Sequence, residues 1–420
     1  MHDVPPAFKI RLIGNFPPRL CGIATFTKDV FDSLAAFPDC EIDVAAMDDG
    51  FGQSYSAPVD SIIPQNDPEA YCRLGQQIAQ EADVILLQHE FGIFGGAAGE
   101  LLLNALSGHD VPLVTTLHTV LDAPNPDQDR VLRAICARSS RLIVMSVRSA
   151  DILERIYAVP TEKIRVIAHG VPDRAIVTSS VARQHIGLAE RPTLLTFGLL
   201  SPNKGLETMI EAMPAIRAGQ PDVQYIILGA THPHLVRHEG GEVYRSGLQK
   251  RVRELDLQDT VIFEDRFVEL DELCNWLTAA DVYVTPYPNV EQSTSGTLAY
   301  AYGLARAIIS TPYWHAAELL AHQPKQLVPF RDSGAMASAI LNLLDNAEAR
   351  QAAERDAWKR SRPYTWPRVG AQYLHLLRKV HRQQGLSNGP GTTSSIDTLA
   401  SPLSAMRYRL ADHPSAILAG

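Results

Sequence analysis

The sequence predicts an α/β protein made of two doubly wound, Rossmann-like domains that face one another across a cleft. Three observations lead there. Short apolar runs alternate with helical patterns along most of the chain, as parallel sheets covered on both faces require. The alternation fades over residues 174–191, which we read as a hinge, and then restarts, so there are two such units rather than one. The length of 420 residues suits two or three domains, and 45% hydrophobic residues allow each a sizeable core.

In the first unit Phe8–Ile13 reads as a buried strand, followed by a loop and an amphipathic helix over Ala24–Ala36. Gly22 stands where the loop turns into that helix. Its missing side chain lets a ligand approach the backbone, though a plain strand-to-helix turn explains it as well. Further strands are expected at Ile42–Ala46, Val84–Gln88, Pro112–Leu117, Leu142–Met145 and Ile164–Ile167. Helices are expected at Pro68–Gln80, Gly99–Leu106, Pro126–Arg138 and Arg148–Tyr157. No Gly-x-Gly-x-x-Gly follows the first strand, so the usual dinucleotide site is not signalled.

Two strand ends in this unit carry unusual chemistry. His89 and Glu90, with Gly92, Gly95 and Gly96 after them, fall just past a buried strand. The spacing is not His-Glu-x-x-His, so zinc is not read. His118 ends the neighbouring strand. A lone histidine is more often structural, but two at adjacent strand ends point toward a site. Asp127 and Asp129 match an Asp-x-Asp metal pattern, yet they follow Pro126 at a helix start, where acidic residues favour the helix dipole; we read the latter. His169-Gly170-Val171 closes the unit.

The second unit begins with strand Thr193–Phe197, a loop Gly198–Gly205 and helix Leu206–Arg217. Lys204 at this turn suits a phosphate, while on spacing alone a solvated lysine opening a helix is the simpler reading. Strand Val223–Leu228 leads to His232 and His234, with His238 nearby; the loop setting favours exposed or ligand-facing imidazoles over a metal. Helix Glu242–Leu255 contains Arg245, and strand Thr260–Phe263 is followed by Arg266. After helix Leu270–Ala279 and strand Asp281–Thr285 comes Glu291-Gln292-Ser293-Thr294-Ser295-Gly296, which runs into a helix over Thr294–Gly303 and a strand at Ala307–Ser310. Hydroxyls and free N–H groups at such a helix start form a ready anion site, or an ordinary cap. Trp366–His381 has helical periodicity, and Gln383–Ala405 has the Gly, Ser, Thr and Pro content of a linker.

A net charge of -9 argues against a nucleic-acid partner. The five scattered cysteines have neither zinc spacing nor the density of a disulfide framework, which fits a reducing cytosol. We expect a cytoplasmic protein with no signal peptide and no transmembrane segment, peripheral membrane contact staying open. The sequence does not disclose the oligomeric state.

Taken in order, several of these motifs resemble the group 1 (family 4) retaining glycosyltransferases of the GT-B fold. They are Gly22-Ile23, His118, His169-Gly170-Val171, Phe197-Gly198-x-Leu200-x-x-x-Lys204-Gly205, Asp281–Pro286, and Glu291 before a Gly-containing loop and helix. The likeness spans Phe8 to His381. It implies a first domain over 1–175, a donor-side domain over 176–365 and a helix at 366–382 crossing back onto the first domain; by composition we expect 383–420 to be a disordered tail. It implies a nucleotide-sugar donor, a sugar or other hydroxyl acceptor, retention, and no metal or cofactor. By likeness Lys204 and Gly22 meet the donor phosphates, His118 touches the sugar, and Glu291 with the backbone of Ser293–Ser295 holds sugar hydroxyls. His118, Lys204 and Glu291 are then the catalytic candidates. Gln292, Thr294, Gly296 and Arg266 join the donor site, and His89, Glu90, His169, His232 and Arg245 are further cleft candidates.

Two positions depart from the family pattern. Leu199 stands where an Arg is usual, and Ala299 where a second Glu is usual. These changes remove a phosphate clamp and a ribose partner. Arg266, Arg245 or Arg19 are candidates to restore the charge, and Gln292 to share the role of Glu291. A retaining phosphorylase using a sugar 1-phosphate on the same fold, and a non-catalytic sugar or nucleotide binder, are the alternatives.

Overall fold

The computed structural model describes residues 7–239 and 241–387. Seven strands form the first sheet: β1 (Phe8–Gly14), β2 (Cys40–Asp48), β3 (Val59–Pro64), β4 (Val84–His89), β5 (Leu113–Leu117), β6 (Arg141–Val144) and β7 (Ile164–Val166). Their order is β3-β2-β1-β4-β5-β6-β7, and every pairing is parallel. Five strands form the second: β8 (Thr193–Phe197), β9 (Gln224–Leu228), β10 (Val261–Glu264), β11 (Val282–Thr285) and β12 (Ala307–Ser310). Their order is β10-β9-β8-β11-β12, again all parallel. In both sheets the order reverses beside the first strand, between β1 and β4 and between β8 and β11. Ligands collect past the carboxyl ends of strands at such switch points.

Alternating residues of each strand face opposite layers of helices. On one face of the first sheet Ile10, Leu12, Val84 and Leu86 pack with Phe26 and Leu34, and with Trp366, Val369, Tyr373 and Leu377 of the final helix, Trp366–Ser387. On the other face Ile13, Ile85 and Leu87 meet Tyr71, Leu74, Ile78 and Leu102. The second sheet repeats this, with Leu194, Ile227 and Val284 against Met209, Met213 and Ile340, and with Leu195, Ile226 and Tyr283 against Leu277, Leu298 and Tyr313.

Three readings of the sequence need correction. Strand β3 is absent from the sequence reading; it is an edge strand with only Ile63 buried, so it lacks a continuous apolar run. The patternless stretch 174–191 contains the helix Ser179–Ile186, which is held by its tertiary setting. There Arg183 pairs with Asp281 at 2.6 Å and bonds the carbonyl of Ala279 at 3.1 Å. The final helix also runs on to Ser387, past the start of the expected disordered tail. The remainder of that tail, 388–420, lies outside the described residues.

The chain passes between the sheets twice, at adjacent places. Val171 N–H donates to Tyr364 O at 2.9 Å, and Trp366 N–H to Val171 O at 3.0 Å. Across the interface Tyr300 bonds the buried carboxyl of Asp29. Glu318 accepts from the backbone N–H of Val147 at 2.9 Å, capping the helix Val147–Arg155 of the other sheet. Among the described residues no helix is long and apolar enough to cross a membrane.

Candidate active site

The two switch points face each other, and the loops after β8 and β11 come together first. Gly205 has φ +60°, and a Cβ there would lie 2.1 Å from Pro286 O. Only glycine lets this turn rest on the backbone that follows β11. Lys204 is thereby carried to Tyr287, donating from Nζ to its hydroxyl at 2.7 Å. That hydroxyl lies 2.8 Å from Thr297 Oγ1, which lies 3.1 Å from Ser295 Oγ. Ser295 is the N-cap of helix Gly296–Gly303, its Oγ accepting from Leu298 N–H. Tyr287 stacks on Tyr313 with centroids 4.9 Å apart.

Burial pushes the Tyr287 phenol up, but the charge and hydrogen bond of Lys204 outweigh it and hold the phenol below its ordinary value of 10. Among the described residues no carboxylate pairs with Lys204. The cluster is therefore a cation, three hydroxyls and a helix N-terminus, which together suit an anion.

The first sheet supplies the opposite wall. Gly22 opens the helix Gly22–Ala35 and is exposed, with nothing within 4 Å of where a Cβ would stand. His118, past β5, donates from Nε2 to Gln88 Oε1 at 3.0 Å and sets its ring edge-on to Phe26 at 4.7 Å. His169 donates from Nδ1 to Gly170 O at 2.7 Å, which leaves Nε2 as an acceptor. A Cβ on Gly296 would come within 2.9 Å of that Nε2. The glycine thus lets the second sheet's helix N-terminus meet the first sheet's histidine. His315 accepts the Ser295 N–H on Nδ1 at 2.9 Å. Burial drives His118 and His315 down to about 3 and His169 to about 4, so all three are neutral at pH 7.

Other candidates stand elsewhere. Gln292 donates to Thr294 O at 2.7 Å and shapes the loop, while Ser293 is buried with its hydroxyl 3.4 Å from Glu291 O. Glu291 is exposed, and its backbone N–H donates to Asn289 Oδ1 at 3.0 Å. Glu90 accepts from Thr119 Oγ1 at 2.6 Å and from Phe91 N–H at 3.0 Å, tying two loops together. His232 donates its backbone N–H to Leu200 O at 2.9 Å, joining the β8 and β9 loops.

The structure moves three candidates out of the site. His89 is fully buried between Phe91 and Phe94, and burial lowers it to about 4. Arg245 is buried behind the β9 loop, bonding Gly229 O at 3.2 Å and pairing with Asp265 and Glu242. Arg266 is taken up by Glu272 and Glu264 beside the edge strand β10. Arg19, the remaining candidate to restore charge, pairs with Asp49 at 3.4 Å. Asp127 and Asp129 lie in a helix first turn and pair with Arg130 and Arg133.

Sequence reasoning missed Tyr287, Thr297 and His315. The first two adjoin motifs that were read, and Tyr287 sits between Pro286 and Pro288 just past a strand, which is a usable signal. His315 reaches the loop only through the tertiary fold. A surface recess lined by Ser107, His109, Arg138 and Gln384 opens at the other end of the strands, before β5, away from this chemistry.

With the geometry in place, comparison with known proteins is informative. Residues 22–174 match the model for Glycosyltransferase Family 4, and residues 191–346 that for Glycosyl transferases group 1. A D-inositol 3-phosphate glycosyltransferase from Jonesia denitrificans is 23% identical over 380 residues, covering 83% of this chain and 86% of its own. Sucrose-phosphate synthase from Thermosynechococcus elongatus superposes with a TM-score of 0.72 at 18% identity, covering 90% of this chain and all of its own. Alr3699/HepE from Anabaena, solved with UDP, gives 0.69 at 18% identity, over 89% of this chain and all of its own. Two family models that between them take in both sheets, on the GT-B architecture, show that this chain belongs to the group 1, family 4 glycosyltransferases.

Proposed function

We propose that this glycosyltransferase moves a sugar from a nucleotide-sugar donor to a hydroxyl acceptor, with retention and without a metal. The observation that carries the reading is the Lys204 ammonium, held by Tyr287 beside the N-terminus of Gly296–Gly303 with no carboxylate paired to it among the described residues. Charge that develops on a departing diphosphate would meet Lys204, the N–H groups of that helix start and those at Gly22. The leaving phosphate oxygen would take the acceptor proton, so no strong protein base is needed. This suits histidines held neutral, and in this reading His118 and His169 orient the sugar by hydrogen bonds. Glu291, on the exposed loop beside the cluster, would reach the sugar hydroxyls. The UDP held by a neighbour of the same fold supports a nucleotide donor.

The position of Ala299, buried where the family has a ribose-binding Glu, favours a second reading, a phosphorylase that uses a sugar 1-phosphate. A panel of nucleotide sugars and sugar 1-phosphates, scored separately for nucleotide and for phosphate release, decides between them. Retention is read from the anomeric configuration of the product by NMR. Turnover that EDTA abolishes and Mg²⁺ or Mn²⁺ restores would contradict metal independence.

A further inference from the structure

We infer that the acceptor side of the cleft selects an uncharged sugar or polyol and rejects its phosphate ester. This rests on the reading of the first sheet as the acceptor side and names the substrate class. The loops at the carboxyl ends of β1 to β7 form that wall. Across residues 15–21, 49–58, 65–67, 90–101, 118–125, 145–146 and 167–178, the only Lys or Arg residues are Arg19 and Arg174. Arg174 is paired with Asp271. Arg19 is bound to Asp49 at 3.4 Å and to Asn15 Oδ1 at 2.9 Å.

From the facing unit Arg362 pairs with Asp173 at 3.3 Å, and Arg237 joins Arg19 on Asp49, at 3.9 Å. A single carboxylate therefore offsets both arginines, one from each side of the cleft. Arg148, at the next strand end, is stacked over Trp314 at 4.7 Å. The same loops carry Asp49, Asp67, Glu90, Glu100, Asp122 and Asp173.

A phosphate monoester carries a charge of roughly −1.5 to −2 at pH 7 and leaves water only for cations and charge-assisted donors. Here it would have to displace Asp49 from two arginines and then face the freed carboxylate. A neutral sugar asks for other groups, and these are present. Gln65 brings an amide, Asp49 a carboxylate, and Phe51 an aromatic ring that is 58% exposed with Arg237 stacked on it at 3.4 Å.

The test measures binding of matched pairs to the full-length protein by calorimetry, then turnover with UDP-glucose and GDP-mannose as donor probes. The pairs are glucose with glucose 6-phosphate, mannose with mannose 6-phosphate, and myo-inositol with inositol 3-phosphate. The neutral member of at least one pair should be favoured tenfold or more, and no phosphorylated member should be favoured. Asp49→Asn, which unpairs both arginines, should shift the ratio toward the phosphorylated member by tenfold or more. Adding Arg19→Gln and Arg237→Gln to it should restore the parent preference. Equal or tighter binding of the phosphorylated member in the parent protein overturns the inference, as does binding of neither member of any pair. An unchanged ratio in a folded Asp49→Asn protein does so too. A failure of the donor reading looks different: no donor probe then releases nucleotide, whatever the acceptor preference in the binding arm.

Discussion

Replacing Tyr287 with Phe isolates the hydroxyl that holds Lys204. The ring remains to stack on Tyr313, so the buried packing is kept. The substitution removes the hydrogen bonds to Lys204 Nζ at 2.7 Å and to Thr297 Oγ1 at 2.8 Å, and the longer one from Ser295 Oγ at 3.5 Å. A hydrogen bond to a charged group is worth about 1.5–3 kcal/mol. If that energy orients Lys204 in the transition state, kcat/KM should fall by about 10- to 100-fold. Melting temperature should move by only a few degrees.

The pH profile separates this role from a structural one. Ionised Tyr287 would offset the charge of Lys204, and its pKa is held below 10, so the parent enzyme should lose donor affinity as pH rises through it. The titratable groups that face it are Lys204, Tyr283 and Tyr313, and burial raises both tyrosines. The Phe variant should lack this alkaline limb. The assay is nucleotide release with the productive donor between neutral and alkaline pH. A kcat/KM within twofold of the parent and an unchanged alkaline limb would refute the reasoning.

Three further outcomes are expected. Lys204→Ala should lower kcat/KM by about 2–4 kcal/mol of transition-state stabilisation while the fold persists, read by turnover beside a thermal melt. Burial lifts Asp29 from 3.8 to about 7, so the folded state holds a proton that the unfolded state releases; stability should fall as pH rises from about 4 to 7 and level off above. Asp29→Asn should remove that fall, gaining up to about 4 kcal/mol on the parent by pH 8 in denaturant titrations, and parallel curves for the two proteins would count against it. A stop before Trp366 should leave no soluble protein with a cooperative melt. It strips Val369, Tyr373, Leu374, Leu377 and Val380 from one core, at about 1.5–3 kcal/mol each against a whole-domain stability of about 5–15 kcal/mol.

Much of the fold was legible because central parallel strands leave a plain trace. Every residue of β4 is buried, so Val84–Gln88 reads as a strand without help. Edge strand β3, with Asp60 and Ser61 inside it, leaves no such trace. The site was legible where its chemistry lies in one loop, as with Lys204-Gly205 and Ser295-Gly296. It was illegible where partners come from afar. Nothing local shows that Glu272 occupies Arg266, that Asp265 and Glu242 occupy Arg245, or that His315 receives the Ser295 N–H. A basic residue past a strand is an equal candidate for ligand and for ion pair until the fold supplies its acid.

The paired crossings at Val171 and Trp366 have a mechanical consequence. Two chain passages bonded side by side behave as a pin, so the sheets can swing about one line but resist sliding and twisting. Displacement on such a pivot grows with distance from it. Tyr300 and Asp29 would part less than groups on the far rim. Arg237, with Phe51 and Asp49 beneath it, bridges the gap at another point, and Glu318 on Val147 bridges it at a third. Opening is then a matter of unlatching small polar bridges while the apolar packing of the final helix stays whole. A cross-link at the rim would lock the enzyme shut, and one beside the pivot would leave it free to move.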